Sequence, residues 1–123
     1  MKSSSAGYEG FGEVYFSFVE EGVTKGWKKH KSVTLNIVVP VGAIRFVIFD
    51  DRGESPTRGA FMDISLSSEN YKRLTVPPGL WMAFRGVSSG VNMLVNIIDS
   101  EHSPDESVAV SIRDIPYIWE KPL

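Results

Sequence analysis

Short runs of alternating apolar and polar residues recur along this chain, separated by turn formers. In "GEVYFSFVE" (Gly12 to Glu20), Val14, Phe16 and Phe18 fall on one face and Tyr15, Ser17 and Val19 on the other. "VTLNIVV" (Val33 to Val39) stops at Pro40, which cannot donate to a strand ladder. A "PVG" turn then leads into "AIRFVIFDD" (Ala43 to Asp51), where Ile44, Phe46 and Ile48 alternate with Ala43, Arg45, Val47 and Phe49. "AFMDISLS", "KRLTVPPG", "LWMAFRGV", "VNMLVNIID" and "VAVSI" are further β-prone runs. Period-2 patterning between frequent turns predicts an all-β sandwich or barrel. The segment "SSENYKR" (Ser67 to Arg73) is the nearest approach to a helical turn, and no long 3.6-residue period argues for an α/β fold. We expect a single domain over residues 1–123, with residues 1–11 as a flexible tail.

Polar residues interrupt these apolar strands at Asn36, Arg45, Asp63, Thr75, Asn92 and Asn96. Ordinary alternation would put each of them toward solvent. Together they would also suit a polar-lined cavity inside a closed sheet. The charge balance narrows the partners: 13 basic and 15 acidic residues leave a formal net charge of -2, so no basic field favours nucleic acid. The 123 residues contain no cysteine, which excludes disulfides and thiolate metal sites. The opening "MKSSSAGYEGFG" lacks the apolar core of a signal peptide, and no apolar run is long enough to span a bilayer. A cytoplasmic protein with no membrane partner is the expectation.

Four residues stand apart from this pattern. Lys28, Lys29, His30 and Lys31 form a charged cluster directly before a β-prone run. As a solvated turn they would do nothing. At a cavity rim, His30 is the side chain that titrates in the useful range, and Lys25 and Lys28 would neutralise a diphosphate or an enolate. Continuing the alternation of "VTLNIVV" backward points Lys28 and His30 inward and Lys29 and Lys31 outward. Trp81 would stack on a ring of a ligand or pack in a core, and Trp27 carries the same two readings. His102 in "DSEHSPDES" belongs to a polar surface loop, and in "DDR" Arg52 pairs with a carboxylate at a hairpin end. With only two histidines and no carboxylate correctly spaced after His30, we expect no metal and no other cofactor.

The ordered pieces "GVTKGWKKHK", "DDRGESPTRG", "LSSENYKRLTVPPG" and "DIPYIW" resemble the dTDP-4-dehydrorhamnose 3,5-epimerase family across nearly the whole chain. The resemblance implies a cupin, that is, a double-stranded β-helix or jelly roll, acting on nucleotide sugars. It implies deprotonation beside a 4-keto group and return of a proton on the opposite face. Carried over residue by residue, the family's arginine falls on Lys25, its base histidine on Lys28, its acid tyrosine on Val95 and its second histidine on Met82. A lysine usual in the family falls on Thr34, and the aspartate that holds the base falls on Asp114. The "KKHK" segment is also similar to the "HxHK" of sugar 3,4-ketoisomerases, retaining His30 and Lys31.

Two functions follow as expectations. The first is a nucleotide-sugar epimerase or isomerase of cell-surface polysaccharide synthesis, with His30, Lys28 and Asp114 catalytic and Lys25, Asn36, Arg45, Trp81 and Asn96 binding substrate. The second is a catalytically silent cupin that binds a sugar nucleotide or a protein partner. A homodimer is expected as well, because aromatics on both faces of Gly12 to Glu20 exceed what a monomer's edge strand exposes. The resemblance implies that this segment reaches into the neighbouring subunit's nucleotide site.

Overall fold

The computed structural model describes residues 1–120. Nine strands lie among them: β1 (Glu13–Phe18), β2 (Thr24–His30), β3 (Leu35–Val41), β4 (Ala43–Phe49), β5 (Phe61–Ser67), β6 (Leu74–Val76), β7 (Trp81–Gly86), β8 (Met93–Ile98) and β9 (Ser107–Ala109), with a 3-10 turn at Pro104–Glu106. A four-stranded sheet runs β1-β8-β3-β6 and a five-stranded sheet β5-β4-β7-β2-β9. Every strand pair is antiparallel. The two sheets face each other as a jelly roll, the cupin architecture.

Alternation places the core. Leu35, Ile37 and Val39 of β3 meet Ile44, Phe46 and Ile48 of β4 across the interior, joined by Leu66, Leu74, Val76, Leu94 and Ile98. Each such side chain contributes roughly 1.5–3 kcal/mol on leaving water. The five-stranded sheet is covered on its outer face too. Ile115 and Trp119, which follow β9, pack there against Trp27, Val47, Trp81 and Ala83. Double coverage explains why β4 is buried at Ile44 through Ile48 without a solvent-facing break.

Three local expectations are corrected. β3 does not end at Pro40 but runs to Val41, and its pairing with β8 is irregular between Val38 and Val41, where a residue without an N–H is tolerated. "SSENYKR" forms no helix: the Ser67 hydroxyl accepts the N–H groups of Glu69 and Asn70, and the Asn70 amide donates to the Ser65 carbonyl at 2.8 Å. Those side-chain bonds compete with helical ones. The charged cluster is not a backward continuation of β3 either. It lies on β2 in the other sheet, and the chain crosses between sheets at Lys31 to Thr34. The N-terminal segment is held along β3 and β6, with Asn36 Nδ2 donating to the Gly7 carbonyl at 3.0 Å and Arg73 bonding the Ala6 carbonyl.

Candidate active site

Between the sheets lies a cavity of about 320 Å³. Leu35, Ile37, Leu94, Met82 and Phe84 form its apolar lining, and the polar side chains reaching it are Tyr15, Ser17, Lys25, Lys28, His30 and Asn96. Strand register explains the inward set on β2. Lys28 pairs with Met82 and Lys29 with Trp81, so Lys28 shares the inner face with Met82 while Lys29 turns outward. There Lys29 lies 4.7 Å from the Trp81 ring and 3.7 Å from an Asp51 carboxylate oxygen. The pairing shifts between Lys25 and Lys28, at Gly26. Gly26 has φ +141, and a Cβ there would come within 2.5 Å of Ala83 Cβ, so a side chain cannot occupy this bulge without moving β7.

His30 Nδ1 lies 2.5 Å from Glu106 Oε1. The other carboxylate oxygen accepts the backbone N–H of Ser32 at 2.7 Å and of Val33 at 3.0 Å. Burial alone would raise the Glu106 pKa, but the Ser32 amide, His30 and the Val33 amide together outweigh it and hold the group at about 2. An ionised carboxylate only accepts, so the proton on the shared hydrogen bond sits on Nδ1. The other ring nitrogen, Nε2, is then the one left for a ligand in the cavity that His30 lines. A histidine held by a carboxylate in this way is arranged to take a proton, and Lys28 on the same strand face brings positive charge beside it.

The structure brings four of the eight expected site residues to one cavity: His30, Lys28, Lys25 and Asn96. Lys25 sits at its edge, with Nζ donating to the Phe18 carbonyl at 2.8 Å. Four others are elsewhere. Asp114 is exposed and caps the Ser111 N–H at 3.0 Å, because its turn lies beyond β9, away from His30; the carboxylate on His30 is Glu106. Asn36 points out of the four-stranded sheet, bridging Gly7 and Thr75. Arg45 points to the outer face of β4, where Asp63 holds its guanidinium through two bonds of 3.0 and 2.7 Å and the Trp119 carbonyl accepts a third at 2.6 Å. Trp81 is 7% exposed in the outer aromatic layer, with Nε1 donating to Asp51 at 2.8 Å. Trp27 is buried in that same layer.

Arg52 pairs with Asp50 as its loop position suggested, and the Ser55 and Thr57 hydroxyls complete the carboxylate's partners. His102 is exposed. Val95 pairs with Phe16 and turns out of the cavity, while Asn96 pairs with Tyr15 and turns in. Two residues were missed: Tyr15, which lines the cavity, and Glu106, which holds His30. Alternation put Tyr15 opposite Phe16 without saying which face was interior. Nothing local marks Glu106, which sits on a short turn 76 residues from its partner. Among the described residues, no group of three or more His, Cys, Asp or Glu side chains could hold a metal, and no helix is long and apolar enough to cross a membrane.

A jelly roll with an inter-sheet cavity and a histidine–carboxylate pair beside it defines a cupin with a candidate acid–base site. Within that class, the chain belongs to the dTDP-4-dehydrorhamnose 3,5-epimerase family, which matches residues 2–120. It is similar to the probable low-salt glycan biosynthesis epimerase Agl13 of Haloferax volcanii, at 28% identity over 110 residues covering 85% of this chain and 70% of that protein. The structure of a dTDP sugar isomerase from Desulfovibrio desulfuricans G20 superposes with a TM-score of 0.92 at 34% identity, covering 97% of this chain and 78% of that one. A dTDP-4-dehydrorhamnose 3,5-epimerase from Sulfolobus tokodaii superposes with a TM-score of 0.75 at 29% identity, over 87% of this chain and 62% of that one.

Proposed function

We propose that this protein is a nucleotide-sugar epimerase or isomerase of glycan synthesis, with a dTDP-linked 4-keto hexose as the substrate type. The carrying observation is the His30–Glu106 pair on the wall of the cavity, with Lys28 beside it. His30 Nε2 takes the proton from the carbon next to the ketone. The C–H electron pair moves into a C=C bond and the ketone oxygen becomes an enolate, which Lys28 stabilises. The cavity volume lies at the small end for ligand sites, so it suits the sugar ring and leaves the nucleotide at the mouth near Lys25. Membership in an epimerase family and the likeness to Agl13 support the reaction class. Nucleotide-activated sugars are a cytoplasmic resource, and we place the protein there.

Assembly belongs to the same reading. Val14, Phe16 and Phe18 are 45%, 62% and 59% exposed on the outer face of β1, an edge strand. A second copy of this chain covering them would make a homodimer. The experiment for the activity is solvent exchange: with a dTDP-4-keto-6-deoxyhexose in D2O, deuterium enters the carbon beside the ketone, and His30→Asn lowers the rate at least about 100-fold. No incorporation by the wild type would leave a silent, ligand-binding cupin.

A further inference from the structure

Epimerisation needs a second group, because a base that returns its own proton to the same face changes nothing. Val95, the family position for that group, carries no proton and faces away from the cavity. Four-stranded and five-stranded sheets form opposite walls of the cavity, and His30 stands on the five-stranded one. On the wall across from it, β1 and β8 bring Tyr15 and Asn96 to the same register position. Asn96 Nδ2 donates to the Tyr15 hydroxyl oxygen at 2.8 Å, so the phenolic proton is directed elsewhere. Asn96 Oδ1 is buried and has no hydrogen-bond partner. An unpartnered buried acceptor costs stability, and a sugar hydroxyl would satisfy it.

We propose that Tyr15 is the proton donor of this site, delivering to the sugar face opposite His30, and that Asn96 both orients the phenol and accepts a substrate hydroxyl. This rests on the epimerase reading above. A planar enolate lying between the sheets has one face toward His30 and the other toward Tyr15. The phenolic proton goes to the enolate carbon, the C=C electron pair forms the new C–H bond, and the ketone is restored. Tyr15 is left as a phenolate, which Asn96 Nδ2 stabilises until water returns its proton, and His30 releases its proton to solvent. Burial, the largest influence, raises the Tyr15 pKa above the ordinary 10.0 and Glu13 adds to that, against the Asn96 bond. The phenol is therefore protonated when the substrate arrives.

The test separates exchange from inversion. Wild type and Tyr15→Phe are given a dTDP-4-keto-6-deoxyhexose in D2O, with deuterium followed by mass spectrometry and configuration by NMR. Tyr15→Phe is expected to keep exchange within about tenfold while inversion falls at least about 100-fold. Inversion that persists within threefold overturns the assignment, as does equal loss of both in a variant with a native circular dichroism spectrum. Should Tyr15→Phe fold poorly, 3,5-difluorotyrosine at position 15 lowers the phenol pKa, and the alkaline limb of inversion moves to lower pH. An unmoved limb overturns the assignment. A wild type that exchanges nothing sinks the epimerase reading itself, and Tyr15 with it.

Discussion

Replacing Glu106 by Gln keeps the shape and removes the charge. Its carboxylate accepts His30 Nδ1–H and the N–H groups of Ser32 and Val33, tying the turn before β9 to the crossing between β2 and β3. A glutamine amide has one oxygen for these donors and sets its NH2 against the rest. The side chains of His30 and Glu106 are only 16% and 13% exposed, so little water substitutes for the lost bonds. The carboxyl is depressed from the ordinary 4.5 to about 2. At about 1.4 kcal/mol per tenfold this gives at most ~3.5 kcal/mol. Screening at the cavity rim brings the expected loss to about 2 kcal/mol at pH 7. The sign follows from the depressed value: the contribution is complete above the unfolded value of 4.5 and is lost as pH falls through about 2. Urea unfolding of wild type and Glu106→Gln across that range should show the gap closing as acid is added. Deuterium exchange should fall about 100-fold in the variant, because the histidine tautomer is no longer set. A gap under about 0.5 kcal/mol at neutral pH, or one that ignores pH, refutes the reasoning.

Three further outcomes follow. Lys28→Met removes a cation that lines the cavity, so dTDP-sugar affinity measured by calorimetry should weaken about tenfold, less at high salt, with unfolding free energy unchanged. Arg45→Lys cannot reproduce the fork on Asp63 together with the bond to Trp119, and should cost about 2 kcal/mol in urea melts while exchange per folded molecule stays at the wild-type rate. Phe16→Glu puts a charge in the middle of the exposed β1 face, and light scattering should show a dimer becoming a monomer. A wild type that is already a monomer at micromolar concentration removes that reading.

Alternation made the strands legible and failed wherever a second layer intervened. It assigned Arg45, Val47 and Phe49 to one face of β4 correctly. It could not say that residues 115–119 would cover that face, so Arg45 and Trp81 read as cavity residues when they belong to an outer aromatic layer. Asn36 failed for the same reason, covered by the N-terminal segment. β2 escaped recognition as a separate strand because four charged or titratable side chains in seven residues disguise an inner face that has a cavity to fill rather than a core. The inward direction of Lys28 and His30 nevertheless came out correctly. Period-2 geometry does not depend on which sheet a strand joins.

The position of the base bears most directly on whether the site is active. The family's base position falls on Lys28, and His30 stands two residues further along the same face, displaced by roughly 7 Å. A histidine that had merely drifted there would have no reason to meet a carboxylate. Asp114, the counterpart implied by the family, lies away and caps its own turn. Glu106 instead precedes Ser107, the residue of β9 paired directly with His30. On the proposed reading, base and orienting carboxylate stand together where β2 meets the start of β9. Ser32 and Val33 supply the amides that keep Glu106 ionised there. A structural ion pair would achieve the same bonds, but it would not need the histidine to line a cavity that also holds a lysine and a half-buried phenol. That coincidence favours a relocated catalytic site over a silent one. It also makes the double variant His30→Lys, Lys28→His informative: restoring the histidine to the family position without moving Glu106 should leave the imidazole unpaired and exchange at least about 100-fold below wild type.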